Sequence, residues 1–408
     1  PAGDAGLGAA LLAQAAPLWF GLSLMAEFRQ LAEQVLALDL ATPAQALALH
    51  EAYGHALWHT AGADPATARS FGRALELAEQ LGATAHRLRA LWGLWLICNT
   101  NGDYAGSVSL AERFGDISAR LPDPATRLTH ERMMALGLHL HGQQARARTH
   151  AQHLLDQPVS INLAARNSGF QFDQRVAALT VMARTLWIHG LAEQALRCAE
   201  AAVEEALSIG HALSLCYAVA NGCAPVAFWA GDLAMARRFN ELLLARAGEH
   251  SLAFWQAFGE GYALLLREGA PRASLRELTH PAQSLLLLET MCTVQPHLMD
   301  ERLSARADSG LGGWCAAELL RIRGEQGLTR AGAAWPDAEA LFRRAQALAE
   351  GQQALAWALR AALSLARLAR DQDRRAAARA TLEPVLARFT EGFDGPDLRA
   401  ADQLLRSL

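Results

Sequence analysis

Apolar positions along this chain recur at three- and four-residue intervals, in blocks separated by short polar or glycine-containing breaks. Sustained alternation of period two is absent, so the pattern predicts helix nearly everywhere. The blocks come in pairs, and one phrase closes the first of each pair. An apolar stretch ends, often on an aromatic or His; Gly follows, and a small residue stands five positions later. Between Phe170 and Gly231 it occurs as Trp187-Ile188-His189-Gly190 with Ala195, and as Phe228-Trp229-Ala230-Gly231 with Ala236.

Along the chain the markers are Gly21/Ala26, Gly62/Thr67, Gly102/Ser107, Gly142/Ala147, Gly190/Ala195, Gly231/Ala236 and Gly269/Ser274, spaced by 41, 40, 40, 48, 41 and 38 residues. A period near 40 signals a helical solenoid. Gly ends the first helix (A) in a left-handed conformation, and an acid just after it, such as Asp103 or Asp232, caps the second (B). The small residue one turn into B lets the two helices approach closely.

The fold class expected is therefore all-α, a solenoid of antiparallel helix pairs with roughly 8–9 hairpins. Residues 1–270 read as the regular part, interrupted by a polar loop at 157–169. Residues 271–313, broken by Pro271, Pro281, Pro296 and the 309–313 run SGLGG, read as irregular. Residues 314–408 read as further hairpins with an amphipathic cap from Asp397, the whole being one continuous solenoid.

Composition sharpens this. With 52% hydrophobic residues and a formal net charge of −4, the chain carries no overall basic field, which argues against direct nucleic-acid contact. It contains no lysine, so neither a GxxxxGK phosphate loop nor a Schiff-base lysine is possible. The six cysteines form no CxxC and sit in apolar blocks, as expected of a cytoplasmic protein. No uncharged run is read as reaching the length of a membrane span, so no membrane association is expected. Pro1 in place of Met leads to the expectation of a piece of a longer protein.

Gly102-Asp103-Tyr104-Ala105-Gly106-Ser107 resembles the turn of a tetratricopeptide repeat, in units longer than the usual ~34 residues. FQFDQRVAALTVMARTLWIHG (170–190), SLCYAVANGCAPVAFWAGDLAMA (214–236), WCAAELLRIRGE (314–325) and ARFTEGFDGPDLRAADQLL (387–405) resemble the C-terminal helical region of a family of bacterial multi-domain signalling ATPases. The opening 36 residues resemble the start of that region. In this family a winged-helix or nucleotide-cyclase domain precedes an ATPase module, and a tetratricopeptide-like region follows. The resemblance implies a regulatory, signal-sensing region of a transcriptional regulator, acting on an attached ATPase domain. The family has Gly where this chain has Asp373, which implies a weakened turn.

Candidate chemistry is sparse. His50-Glu51-Ala52-Tyr53-Gly54-His55 places its histidines five apart, one too many for the metalloprotease helix, and His55 with His59 lacks a third ligand. No nucleophile elbow or dinucleotide fingerprint occurs, so no enzyme activity and no cofactor are expected. Arg360, Arg367, Arg370, Arg374, Arg375 and Arg379 read as a solvated helix face.

Counting back 13, 10, 6, 3 and 2 positions from each marker Gly samples one face of helix A, the face that lines the concave side of such arrays. It selects Arg89, Trp92, Leu96, Asn99 and Thr100 before Gly102, and Thr129, Arg132, Leu136 and His139 before Gly142. It also selects His59, Arg184, Trp187, Asn221, Phe228 and Gln256 in other pairs. Tyr217 and Trp255 beside these positions, and Asp173 and Arg175 at the entry to the fifth pair, complete the candidate ligand-binding set. This lining of aromatic and hydrogen-bonding groups fits a small-molecule effector or a regulatory protein. A protein-interaction scaffold without a small ligand is the alternative.

Overall fold

The structure is a computed structural model and describes residues 2–21, 24–39, 41–158, 172–267, 284–329 and 335–408. Among these residues it contains helices and turns and no strand. Helix pairs follow one another: α1 (Ala2–Gly21) and α2 (Met25–Ala37), α3 (Pro43–Ala61) and α4 (Pro65–Gln80), α5 (Thr84–Asn101) and α6 (Tyr104–Ser118), α7 (Pro124–His141) and α8 (Gln144–Leu155). Next come α9 (Gln174–Ile188) and α10 (Ala192–Ser208), α11 (Ala212–Ala230) and α12 (Leu233–Glu249), and α13 (Ala253–Leu265). Beyond it lie α14 (Leu285–Val294) and α15 (Glu301–Ser309), α16 (Ala316–Leu328) and α17 (Trp335–Gly351), α18 (Leu355–Asp371) and α19 (Arg375–Leu386), and the C-terminal helix α20 (Pro396–Ser407). The fold is an α-solenoid of tetratricopeptide-like hairpins. The loop expected at 157–169 and the first part of the irregular segment, 271–283, lie almost wholly outside the described residues.

In five of its seven occurrences the Gly-to-small phrase does what its chemistry predicts, whereas in the first the small residue, Ala26, is exposed. Gly62, Gly102, Gly142, Gly190 and Gly231 all take positive φ, between 77° and 96°. The small residues Thr67, Ser107, Ala147, Ala195 and Ala236 are fully buried at the A–B contacts. Asp103 accepts from Gly106 N–H and Asp232 from Met235 N–H, each at 2.9 Å, as helix caps. Asp373 also adopts φ +58°, a conformation an acid tolerates at a cost. Gly269 lies outside the described residues.

The same glycines serve a second contact. The coil winds tightly enough that the four A–B turns at Gly102, Gly142, Gly190 and Gly231 touch residues of its later part. A Cβ on Gly102 would meet Leu285 and Arg306, one on Gly142 Gln352, one on Gly190 Phe389 and Leu355, and one on Gly231 Pro396. Gly313, at φ +48°, lies against Leu140 O, where a Cβ would be only 2.1 Å away. The A helices therefore face A helices across the coil, α3 against α13 and α5 against α14, while the B helices form the outer layer. This explains the weak amphipathicity of the A helices: in α9 every residue except Arg175 is buried.

One expectation fails. Ala212–Ala230 is long and apolar enough to cross a membrane. It is apolar because, as α11, it is enclosed by α9, α10, α12 and α13, and most of it is buried.

A buried carboxylate, Glu318, joins the layers. Glu318 accepts from Arg321 Nε and Nη2, both at 2.8 Å, and from Arg360 Nη1 at 3.0 Å; these cations hold its carboxyl below the usual range against the opposing effect of burial. Arg360 also binds Asp397 Oδ2 of α20 at 2.7 Å and packs over Trp187 and Trp357. It was expected on a solvated face with its neighbours. Arg367, Arg370, Arg374, Arg375 and Arg379 are exposed, whereas Arg360 lies on the inward side of α18.

Candidate functional site: an aromatic cavity on the inner face

The A helices converge at the middle of the coil on an aromatic cluster. Phe172 stacks on Tyr217 with centroids 4.7 Å apart and meets Trp255 edge-on at 6.0 Å. Trp58 lies 4.9 Å from Phe254 and 5.9 Å from Trp255. Each such pair contributes about 0.5–1.5 kcal/mol beyond its area burial. Between these rings is a cavity of about 30 Å³, room for roughly one water molecule. Leu96, Leu136 and Leu286 line its apolar side, and Asn99, Thr100 and Asn221 its polar side. Thr100, Asn221 and Phe254, each 8–9% exposed, form its rim.

The polar groups here are unevenly satisfied. Several groups are engaged: Asn99 Oδ1 accepts from Ser107 Oγ at 2.6 Å, Tyr217 O from Asn221 Nδ2 at 3.2 Å, and Leu96 O from Thr100 Oγ1 at 2.9 Å. Three donors are not. Trp58 Nε1, Asn99 Nδ2 and Trp255 Nε1 are buried and have no acceptor among the described residues. Most buried polar groups are paired, so three unpaired donors on residues lining one small cavity call for a ligand or water.

Two arginines stand just behind the wall. Arg132 is 2% exposed; its Nη1 donates to Phe172 O at 3.0 Å, its guanidinium lies 5.7 Å from the Trp92 ring and 5.9 Å from that of Phe172, and its Nε and Nη2 are unpaired. Burial lowers its pKa to about 10, so it remains charged at neutral pH. Arg184, 1% exposed, donates Nη1 to Asn221 O at 2.7 Å and Nε to His139 Nε2 at 2.7 Å, and lies over Trp314 at 4.4 Å and Trp229 at 5.0 Å. Among the described residues neither arginine has a hydrogen-bonded carboxylate. Asp173, the buried acid nearest Arg132, caps α9 through the N–H groups of Arg175 and Val176.

Local sequence explains why Asn221 O is free to accept. Residues Val219–Cys223 form a π-turn within α11. Pro225, just beyond, has no N–H to return to the preceding turn. Two carbonyls of that turn find partners elsewhere, Ala220 O with Tyr262 Oη–H at 2.5 Å and Asn221 O with Arg184.

His139 is wired by the same logic. Arg184 can only donate, so His139 Nε2 accepts, and its Nδ1–H therefore donates to Gln144 Oε1 at 2.7 Å. Burial, reinforced by Arg184, keeps its pKa far below the ordinary value.

Of the residues selected from sequence, Asn99, Tyr217, Asn221 and Trp255 line the cavity. Trp92, Arg132 and Arg184 stand directly behind it, and His59 packs on Trp58 at 4.9 Å. His139, Trp187 and Phe228 are buried further along the inner layer, Trp187 against Trp229 and Trp357, Phe228 against Tyr262. Asp173 serves as a cap, as described. Three positions fall outside. Gln256 is exposed and binds Glu260, because α13 turns that side to solvent. Arg89 is drawn to Glu51 Oε1 at 2.5 Å beside His86, and Arg175 faces Leu155 O and Glu205. Trp58, Phe172 and Phe254 were missed; each is the immediate chain neighbour of a selected residue, His59, Asp173 or Trp255.

No protein-family model matches the chain, and no curated protein matches it in sequence. In overall structure it is similar to a Rap protein crystallised with Competence and Sporulation Factor, at 11% identity over 99% of this chain and 100% of that one, with a TM-score of 0.48. It is also similar to yeast Tom70, at 11% identity over 98% and 96%, with a TM-score of 0.30. The helix pairs themselves, not these remote likenesses, define the fold.

Proposed function

We propose that this chain is the sensing region of a larger regulatory protein, and that a small-molecule signal binds in the central aromatic cavity. The observation that carries this reading is the set of three unpaired N–H donors on residues that line one apolar cavity, backed by two buried arginines that have no hydrogen-bonded carboxylate among the described residues. In the tetratricopeptide-like regulators that the sequence resembles, such a region adjoins an ATPase module. Here the cavity is bounded by helices from both halves of the coil, so a ligand enlarging it changes how the halves meet. That supplies the differential affinity for two states that regulation needs.

A second reading, a protein-interaction scaffold, has its own observation. Leu7, Leu11 and Leu18 of α1 are 58–64% exposed at one end of the solenoid, an apolar surface suited to a protein partner.

Thermal-shift titration of the chain against size-fractionated cell extract separates the two. The sensing reading expects the low-molecular-weight fraction to raise the melting temperature by several degrees, and the effect to vanish in Tyr217→Ala. Stabilisation by high-molecular-weight fractions alone, lost on Leu11→Asp and retained in Tyr217→Ala, would favour the scaffold.

A further inference from the structure

We propose that the ligand of the central cavity is a small carboxylate carrying a flat apolar body; the proposal rests on reading that cavity as a ligand site.

An aromatic box such as Trp58, Phe172, Tyr217, Phe254 and Trp255 is by itself equally suited to a cation held over ring faces or to a flat apolar group. Charge decides between them. The guanidinium groups of Arg132 and Arg184 are tethered to the backbone carbonyls of two wall residues, Phe172 and Asn221. Both cations are inside the protein, where water screens them little. Asp173 offsets the charge of Arg132 in part, and among the described residues no acid acts comparably on Arg184. The field at the cavity is therefore positive. A cationic ligand would be repelled, while an anion would supply the missing counter-charge.

Hydrogen-bond sense points the same way. Trp58 Nε1, Asn99 Nδ2 and Trp255 Nε1 can only donate. An ammonium or guanidinium ligand would bring more donors and leave these three unmatched. A carboxylate brings only acceptors, with lone pairs enough for all three, and charge-assisted bonds are about twice as strong as neutral ones. The rest of the lining, Leu96, Leu136, Leu286 and the ring faces, accepts an apolar body. A monocarboxylate fits better than a phosphate or dicarboxylate because one small polar end is matched and the remainder is hydrocarbon. At about 30 Å³ the cavity must open further to admit such a ligand. The ligand widens it at the partly exposed rim of Thr100, Asn221 and Phe254.

The test uses three probes of one shape on the full chain: phenylacetate, phenylacetamide and phenethylammonium, followed by tryptophan fluorescence and melting temperature. Phenylacetate is expected to quench emission saturably and to bind at least about tenfold more tightly than the amide. The ammonium is expected not to bind. Asn99→Asp keeps the acceptor for Ser107 Oγ, removes a donor and adds a negative charge, so it should abolish the preference for the acid, with circular dichroism confirming that the variant is folded. Arg132→Gln should narrow the acid-to-amide ratio if it folds; the Asn99 variant decides the matter if it does not. Equal or tighter binding of amide or ammonium would overturn the carboxylate assignment and leave the small-ligand reading standing. Failure of all three probes also overturns the assignment, while the extract titration above decides the small-ligand reading separately.

Discussion

Replacing Glu289 with alanine is expected to lower the stability of the chain by about 3–5 kcal/mol, the range found when one partner of a buried ion pair is removed. Glu289 is wholly buried on α14 and gathers three donors from separate parts of the coil. Arg306 Nε reaches it at 2.8 Å, Trp314 Nε1 at 3.0 Å, and Tyr104 Oη–H from α6 makes a short hydrogen bond. Burial pushes its carboxyl above the ordinary range, and Arg306 with the three hydrogen bonds opposes that shift. Without the carboxylate, Arg306 keeps only Gly102 O and Leu311 O, and the Trp314 and Tyr104 donors lose their acceptor. The loss also severs a link between residues 185 apart in sequence, where the two halves of the coil meet. Glu289→Gln keeps the shape without the charge and should cost less. Urea denaturation followed by circular dichroism measures both; a change under 1 kcal/mol for Glu289→Ala would mean that this carboxylate does not tie the layers together.

The second large effect is expected on mild acidification. His55 has its pKa lowered to about 4, chiefly by burial, with Arg89 acting in the same direction and Glu51 opposing. His139 lies well below 6.5 for the reasons given above. For a histidine neutral in the fold, the unfolded chain binds more protons below pH ~6.5. The stability present above that value is lost as pH falls toward the folded pKa. At pH 5 His55 accounts for about 2 kcal/mol, and His139 adds to the loss in the same direction. The carboxylates Glu51, Glu131, Glu318 and Glu391 have pKa values held below their ordinary value, so their contribution is lost only at lower pH. Urea midpoints should therefore fall markedly between pH 7 and pH 5. A flat profile across that window would refute the assignment of neutral, buried histidines.

The fold was legible because hairpin geometry is local. Gly102, Gly142, Gly190 and Gly231 are needed at left-handed turns, and the small residue five positions later at the A–B contact, so both recur in sequence at the hairpin period. Closure of the coil was not legible. It depends on the summed rotation of successive pairs, and nothing near Gly102 in sequence indicates that Leu285 and Arg306 press on it.

The site was partly legible for the same reason. Phase counting found Asn99, Arg132, Arg184 and Asn221 because each stands on an inner helix at a fixed distance from a turn. It failed at Gln256, counted from a Gly that lies outside the described residues, and it put Arg89 inside although Glu51 draws it away. Polar residues alone did not reveal Trp58 and Phe172 as wall residues, since an aromatic in an apolar block looks like ordinary core. Arg360 was misread because a helix's arginines were taken together, while one of them faced inward to Glu318 and Asp397.

The most direct test of the central claim observes the unpaired donors themselves. Indole N–H signals in a ¹⁵N-labelled chain, assigned by Trp→Phe substitution, can be followed while phenylacetate is added. Trp58 and Trp255 Nε1–H, which have no acceptor among the described residues, should shift as the carboxylate binds. Those of Trp229, bonded to Thr293 Oγ1, and Trp357, bonded to Trp314 O, should stay in place. Unmoved signals from Trp58 and Trp255, or shifts confined to Trp229 and Trp357, would contradict a ligand site in the central cavity.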